Sequence, residues 1–364
     1  MKKILRDNKG SISALVVISV LLYSIVLTTA FMQASSKRKM QMESQILAKE
    51  AYEKQLNNLD EIRDEINGGS SSILNKIQIG DSVNYTYDSV SSYSLSSTYS
   101  GYSSDQIAQT IGLTWKVLNV DKENDTVDII STNPTSSTVY FADILGYNNG
   151  PYLMNEICKS QYSNKTLGVN ARSINLLDME KHLTPTGITN RNAYTSSVKY
   201  GTTKTYTSYT KYPSLYANQK GAGPNVSSIS QPDTTKGNDP YEESKPIVPK
   251  GTTEPTTSST YGTGSPLTVT QTFYIIAIDN TNYGTASSIL ANGTPFWVAA
   301  RYVNTVSSYA RFGLRYAGTD TYGCTMFDSA GSTGGNNFAL RPVVSLPSSL
   351  LTGEQTNGAW NLSK

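Results

Sequence analysis

Residues 113–131 read LTWKVLNVDKENDTVDIIS, and this stretch decides the fold. Two runs rich in Val, Leu, Ile and Trp flank the polar segment DKEND at 121–125. β-Branched and aromatic residues fit a pleated, half-buried surface, whereas clustered Asp and Asn hydrogen-bond their own backbone and favour turns. The stretch is expected to form a β-hairpin. Working outward, further strands are expected at 76–87 (KIQIGDSVNYTY), 273–278 (FYIIAI), 296–302 (FWVAARY), 311–316 (RFGLRY) and 340–346 (LRPVVSL). Residues 151–160 and 175–183 read as two short helices, so the expected class is α+β.

Upstream, residues 11–33 (SISALVVISVLLYSIVLTTAFMQ) contain no Asp, Glu, Lys or Arg. As a helix rising about 1.5 Å per residue they would cross a hydrocarbon core of about 30 Å. Lys2, Lys3, Arg6 and Lys9 precede the run, and Lys37, Arg38 and Lys39 follow it, a bias toward an inside amino terminus. The reading is a cytoplasmic basic leader (1–10), a transmembrane helix (11–33) and an amphipathic stalk helix (34–69). In the stalk, Tyr52, Leu56, Leu59, Ile62 and Ile66 make one apolar stripe, and Gly68-Gly69 stop it. The expected location is the cell membrane, single-pass, with the later residues extracellular. A cleaved secretory signal fits less well, because the apolar core is too long.

Composition narrows the function. The chain has 364 residues, 30 Lys+Arg against 28 Asp+Glu, two Cys, one His and 25 Tyr. That near-neutral balance lacks the basic footprint of a nucleic-acid binder. Two distant cysteines, Cys158 and Cys324, exclude a disulfide scaffold and a zinc ribbon. A single histidine, His182, weakens any Ser-His-Asp or Cys-His proposal and reads as a surface or capping residue. The scattered carboxylates offer no acid–base pair, so no enzymatic activity is expected. Between 195 and 270, 49 of the 76 residues are Thr, Ser, Tyr, Pro or Gly, too few aliphatics to offset the entropy of ordering. We read this segment as a low-complexity insertion within a domain spanning 70–350, with 351–364 as a tail.

Two resemblances sharpen the reading. Lys9-Gly10 followed by Ser11 and an unbroken apolar run resembles the start of a type IV pilin or pseudopilin, whose leader is cut after the Gly. The Glu that most pilins carry at the fifth mature position is here Leu15. Further on, Trp115-Lys116-Val117-Leu118, then Phe296-Trp297-Val298-Ala299-Ala300-Arg301, then Gly313-Leu314-Arg315 and Leu340-Arg341-Pro342-Val343-Val344 occur in the order of an uncharacterised bacterial surface-protein domain. That domain belongs to the C-type-lectin-like superfamily, which includes formylglycine-generating-like modules. The resemblance implies a mixed β-sheet with two helices packed on it, and an exported, adhesin-like binding protein. The pilin likeness implies instead a structural subunit contacting sister subunits through the N-terminal helix.

The candidate binding surface is 316–338, YAGTDTYGCTMFDSAGSTGGNNF. It lacks a helix or strand period and is expected to be a loop region. Tyr with Ser, Gly and Asn is the vocabulary of binding surfaces, combining rigid amphipathic rings with adaptable hydrogen bonding. The relatives' variable ligand-binding residues occupy the matching place, which nominates Tyr316, Asp320, Tyr322, Asp328 and Asn336 for an extracellular glycan or protein ligand. Asp320, Asp328, Asn336 and Asn337 are also oxygen ligands of the kind calcium takes, but their spacing matches no calcium loop, so no cofactor or metal is expected. Trp115, Phe296, Trp297 and Val343 read as core, and Arg341 as a structural arginine reaching a carbonyl or carboxylate.

Overall fold

The computed structural model describes residues 73–194, 199–206, 226–228, 231–232 and 267–363. Its first strand, Ser82–Val83 (β1), is followed by the hairpin formed by Trp115–Asp121 (β2) and Thr126–Ser131 (β3). The turn closes as its composition dictates. One Asp121 carboxylate oxygen accepts the Glu123 and Asn124 amides, both at 3.0 Å, and Asp125 takes the left-handed conformation (φ 54°). Within the hairpin the register shifts between Val117 and Asn119, a bulge at Leu118. Val117 and Leu118 face opposite sides, as neighbours in a strand do, so that one strand feeds two cores.

The remaining strands of the two main sheets are Thr138–Ala142 (β4), Ala171–Ser173 (β5), Phe296–Thr305 (β6), Ala310–Ala317 (β7), Thr321–Asp328 (β8), Gly335–Ala339 (β9), Pro342–Pro347 (β10), Leu351–Thr356 (β11) and Ala359–Leu362 (β12). One sheet runs β11-β12-β1-β2-β3-β10-β5, antiparallel except for the β1–β12 pair. The other runs β8-β7-β6-β9-β4, antiparallel except where β6 meets β9 at Phe296 and Ala339. Buried along nearly its whole length, β6 carries apolar residues on both faces instead of an alternation, with Arg301 buried among them.

The helix Asp143–Tyr162 leaves β4 directly and buries Ile144, Tyr147, Met154, Ile157 and Cys158. These pack with Trp115, Val117 and Ile129 of the first sheet and Phe141, Trp297, Phe312 and Leu314 of the second. Gly150 permits the approach: a Cβ there would lie 2.6 Å from a Leu314 methyl. A second core gathers Leu118, Ile130 and Val343 with Phe296, Val298, Tyr274, Ile276, Ile289 and Leu290. Helix ends inside this core are capped by side chains. Asn175 accepts the Asp178 amide while Asp178 accepts that of Asn175, a capping box at the start of Leu176–Glu180.

Several expectations need correction. The expected α+β class, a long transmembrane and stalk helix before a C-type-lectin-like sheet with two short helices, gives way to a mostly β-sheet domain built on two sheets. Among the described residues no helix is long and apolar enough to cross a membrane. Residues 1–72, which carry the leader, Gly10, Ser11, the 11–33 run and the stalk stripe, lie outside the described residues. The helix expected at 151–160 is one half of a twenty-residue helix, because Pro151 sits inside it rather than starting it. Residues 273–278 form no regular strand; a single bridge joins Ala277 to Asp320. Nor is 351–364 a separate tail: β11 and β12 extend the first sheet, and Trp360 is buried. The periphery of the low-complexity segment is a ribbon of Thr203–Tyr206 paired with Leu267–Thr270.

Candidate functional site

The nominated surface is sheet, not loop. A tight turn, in which the Gly318 amide donates to the Asp320 carbonyl at 3.0 Å, joins β7 to β8 and sets Tyr316 opposite Tyr322. Cross-strand partners share a face, so their rings meet: centroids 5.1 Å apart, planes 15° from parallel. Phe338 of β9 stacks on Tyr316 at 4.2 Å and meets Trp297 edge-on at 4.7 Å. Trp297 is fixed beneath by its indole N–H, which donates to the Val139 carbonyl at 2.8 Å. The result is a ladder of four rings running from a buried tryptophan to the partly exposed Tyr322.

At the open end, the Tyr322 hydroxyl donates to Asp320 Oδ2 at 2.9 Å, and the Thr319 hydroxyl donates to the same oxygen at 3.0 Å. The Asp320 hydrogen bond, ahead of burial, raises the Tyr322 phenol above its ordinary value; burial raises that of Tyr316. Both stay neutral at physiological pH. The arrangement offers a flat aromatic face beside a carboxylate acceptor, a geometry suited to a ligand with apolar C–H patches and hydroxyl donors.

Tyr316, Asp320 and Tyr322 are thus brought together. The other two nominees are not part of this group. Asp328 is 6% exposed, and its Oδ1 accepts the Ala330 and Ser332 amides at 3.0 and 2.9 Å, so it shapes the β8–β9 turn. Asn336 is exposed on β9 opposite Phe141, with Oδ1 accepting the Asn337 amide at 2.8 Å. One side-chain oxygen each of Asp320, Asp328 and Asn336 is taken up locally in this way, and among the described residues no three His, Cys, Asp or Glu side chains are grouped to hold a metal.

A second concave feature had no nominee. After Val83, β1 stays with β12, its Asn84 amide donating to the Trp360 carbonyl at 2.9 Å. Thr114 stays with β3, its carbonyl accepting the Thr132 amide at 2.8 Å. The two strands therefore part, and a cleft of about 560 Å³ opens between them, lined by Asn84, Tyr85, Thr86, Thr114, Trp115 and Asn357 among others. It adjoins a second hollow of about 410 Å³ that shares Asn84 and Thr86 and reaches Asp88 and Asn164. The sequence signal was the run Asn84-Tyr85-Thr86-Tyr87-Asp88, where exposed polar residues alternate with inward tyrosines beyond the end of β1.

The remaining chemistry-bearing side chains are structural or inert. Arg341 is fully buried and donates to the carbonyls of Ser131, Leu290, Thr132 and Ile289 at 2.5–3.2 Å, the role its position before Pro342 suggested. Burial lowers its pKa to about 9. Both cysteines are free; burial raises the Cys158 thiol far above its usual range and that of Cys324 to about 11, so neither is a thiolate nucleophile. His182 is half-buried, with Nε2 shut off from solvent; burial, with Lys181 beside it, lowers its pKa to about 4. Compared with known protein families, with curated proteins and with solved structures, the chain matches none of them.

Proposed function

We propose that this protein is an exported, membrane-attached cell-surface binding protein that recognises a carbohydrate through the Tyr322 end of the ring ladder. The observation that carries the reading is the partly exposed Tyr322 ring backed by Tyr316, with the Asp320 carboxylate at its edge. A sugar ring presents axial C–H groups to an aromatic face and donates hydroxyl protons to a carboxylate. The scaffold pays little entropy on binding, because the ladder already holds its rings in place. The uncharged run 11–33, flanked by basic residues, supports attachment to a membrane with the binding domain outside.

A broad glycan array probed with the full-length protein in detergent tests this. Binding that falls about tenfold in Tyr322→Ala, from loss of roughly 1.4 kcal/mol of ring contact, supports it. Absence of signal across the array, or a Tyr322→Ala variant that binds as well as the parent, sinks it. The rival reading, a pilin-like structural subunit, is favoured by Lys9-Gly10-Ser11 and the apolar stripe from Tyr52 to Ile66. Mass spectrometry of the amino terminus separates the two: cleavage after Gly10 supports the filament subunit, and an intact Met1 excludes that processing.

A further inference from the structure

Under the β7–β8 hairpin lies a small cavity walled by Leu176, Met179, Tyr274, Val298, Arg315 and Thr321, and it reaches Tyr316 and Tyr322 of the ring ladder. We propose that it is a binding site for one monatomic anion, chloride in ordinary saline solution, held by Arg315. The cavity shares these two tyrosines with the carbohydrate site, but its test does not depend on carbohydrate binding.

Arg315 is 2% exposed. Its Nη2 donates to the Thr272 carbonyl, and its guanidinium lies over the Tyr274 ring at 4.7 Å. Nε and Nη1 have no hydrogen-bond acceptor among the described residues and are closed off from bulk solvent. Arg341 shows what this fold does elsewhere with a buried guanidinium: four carbonyls surround it. Arg315 has one. The acid of the same buried cluster, Glu180, is committed, with Oε1 accepting the Tyr274 hydroxyl and Oε2 accepting Arg191 Nη1, both at 2.7 Å. Two guanidinium groups and one carboxylate leave a buried excess of one positive charge, an arrangement proteins avoid unless a counter-charge is supplied.

Size and hydrogen-bond capacity identify the occupant. The cavity leaves about 10 Å³ for the centre of a water-sized occupant, which admits a single water or halide and excludes a carboxylate or phosphate. A water would satisfy the two N–H donors but carries no charge to offset the guanidinium, and Leu176 and Val298 offer its hydrogens no acceptor. The Thr321 hydroxyl is already engaged with the Ile276 amide and carbonyl, at 3.0 and 3.4 Å. A halide only accepts, and it supplies the missing charge. Bound there, it joins Arg315 of β7 to the irregular segment around Thr272 and Tyr274, and so stiffens the hairpin that carries the ladder.

Crystals of the full-length protein grown in sodium bromide test the site directly. An anomalous peak within hydrogen-bonding distance of Arg315 Nε and Nη1 supports it; an ordered water with no anomalous signal there overturns it. In solution, replacing gluconate by bromide at constant ionic strength is expected to raise Tm by about 2 °C at ten times the dissociation constant. Arg315→Met loses that rise, while Arg311→Met, on the same strand but bonded to the Tyr309 hydroxyl and not lining the cavity, keeps it. A bromide-dependent rise that survives in Arg315→Met refutes the assignment. If Arg315→Met does not fold, the anomalous map of the unsubstituted protein decides.

Discussion

His182 is the one histidine of the chain, and its environment makes a measurable demand on stability. Its backbone amide donates to the Met179 carbonyl at 3.1 Å as the helix Leu176–Glu180 ends, and its Nε2 is shut off from solvent with no acceptor or donor partner. Burial, then the neighbouring Lys181 ammonium, disfavours the imidazolium and lowers the pKa from 6.5 to about 4. The sign follows from proton counting. Between those two values the unfolded chain binds more protons than the folded one, so stability rises with pH through the window. The contribution is complete above about pH 6.5 and is lost as pH falls toward 4. A gap of that width converts to about 3 kcal/mol at roughly 1.4 kcal/mol per unit, and partial exposure of the residue reduces it to ~2 kcal/mol. Urea denaturation of the parent and of His182→Gln at pH 7, 5.5 and 4.5 measures it, because the carboxylates titrate alike in both and cancel in the difference. The parent is expected to lose ~2 kcal/mol more than the variant between pH 7 and pH 4.5. A proton NMR titration of the single imidazole gives the pKa itself. A midpoint between 6 and 7, with a parent–variant difference that is flat in pH, would refute the reasoning.

Replacing Arg341 by Met orphans four buried carbonyls at once and is expected to cost about 3–5 kcal/mol, read as a fall in the urea midpoint with an unchanged m-value. Gly187→Ala places a Cβ 2.2 Å from the Asn282 carbonyl oxygen, which is backbone and cannot swing away, so a loss of about 2 kcal/mol or more in thermal unfolding is expected. Neither cysteine should react with a thiol reagent at pH 8 in the native protein: Cys158 is sealed in the core, and Cys324, with a thiol raised to about 11, is under 1% thiolate. Both are expected to label only in denaturant, and rapid native labelling of either would contradict the burial described.

What the sequence made legible was whatever periodicity controls. The hairpin at 113–131, the apolar run of β6 and the strand after Pro342 have a pattern strong enough to override local ambiguity. The sequence reading takes 316–338 for a loop because Gly323 interrupts the Thr-, Tyr- and Phe-rich run of β8 and because β9 (GNNFA) is built from residues with weak strand preference. Gly313 and Gly323 leave room for the Tyr302 ring, which a Cβ at either position would meet at 2.5 Å or less, and that packing holds the hairpin together. The short strands β5 and β12 gave no signal for a similar reason. Pairing to β10 and to β1 makes them strands, and such partners are remote in sequence. Of the nominated site, the Tyr316–Tyr322 pairing follows once the register is known. The buried role of Asp328 follows only from the turn that it closes.

The chain has 25 tyrosines, and Tyr85, Tyr147, Tyr162, Tyr206, Tyr274, Tyr283 and Tyr302 are buried. A tyrosine in a core supplies packing area and one hydrogen-bonding group that must be matched. Here several of those hydroxyls fasten segments with no regular ladder of their own: Tyr85 donates to the Tyr162 carbonyl at 2.7 Å, Tyr206 to the Val306 carbonyl at 2.8 Å. Gln271 works the same way, donating to the Phe273 carbonyl at 2.7 Å while its amide oxygen accepts the Thr305 amide at 2.7 Å. In 271–278 these side-chain hydrogen bonds add to backbone bonds that go to several different segments, among them Thr202, Val303 and Thr319, so the apolar run pairs with no single strand. The same logic isolates Tyr322. Its hydroxyl reaches a neighbouring carboxylate instead of fastening a distant carbonyl, and its ring ends a stack instead of filling a core. A tyrosine that fastens nothing remote is free to be replaced without unfolding the domain, so binding lost in Tyr322→Ala with an unchanged melting temperature would assign it to recognition.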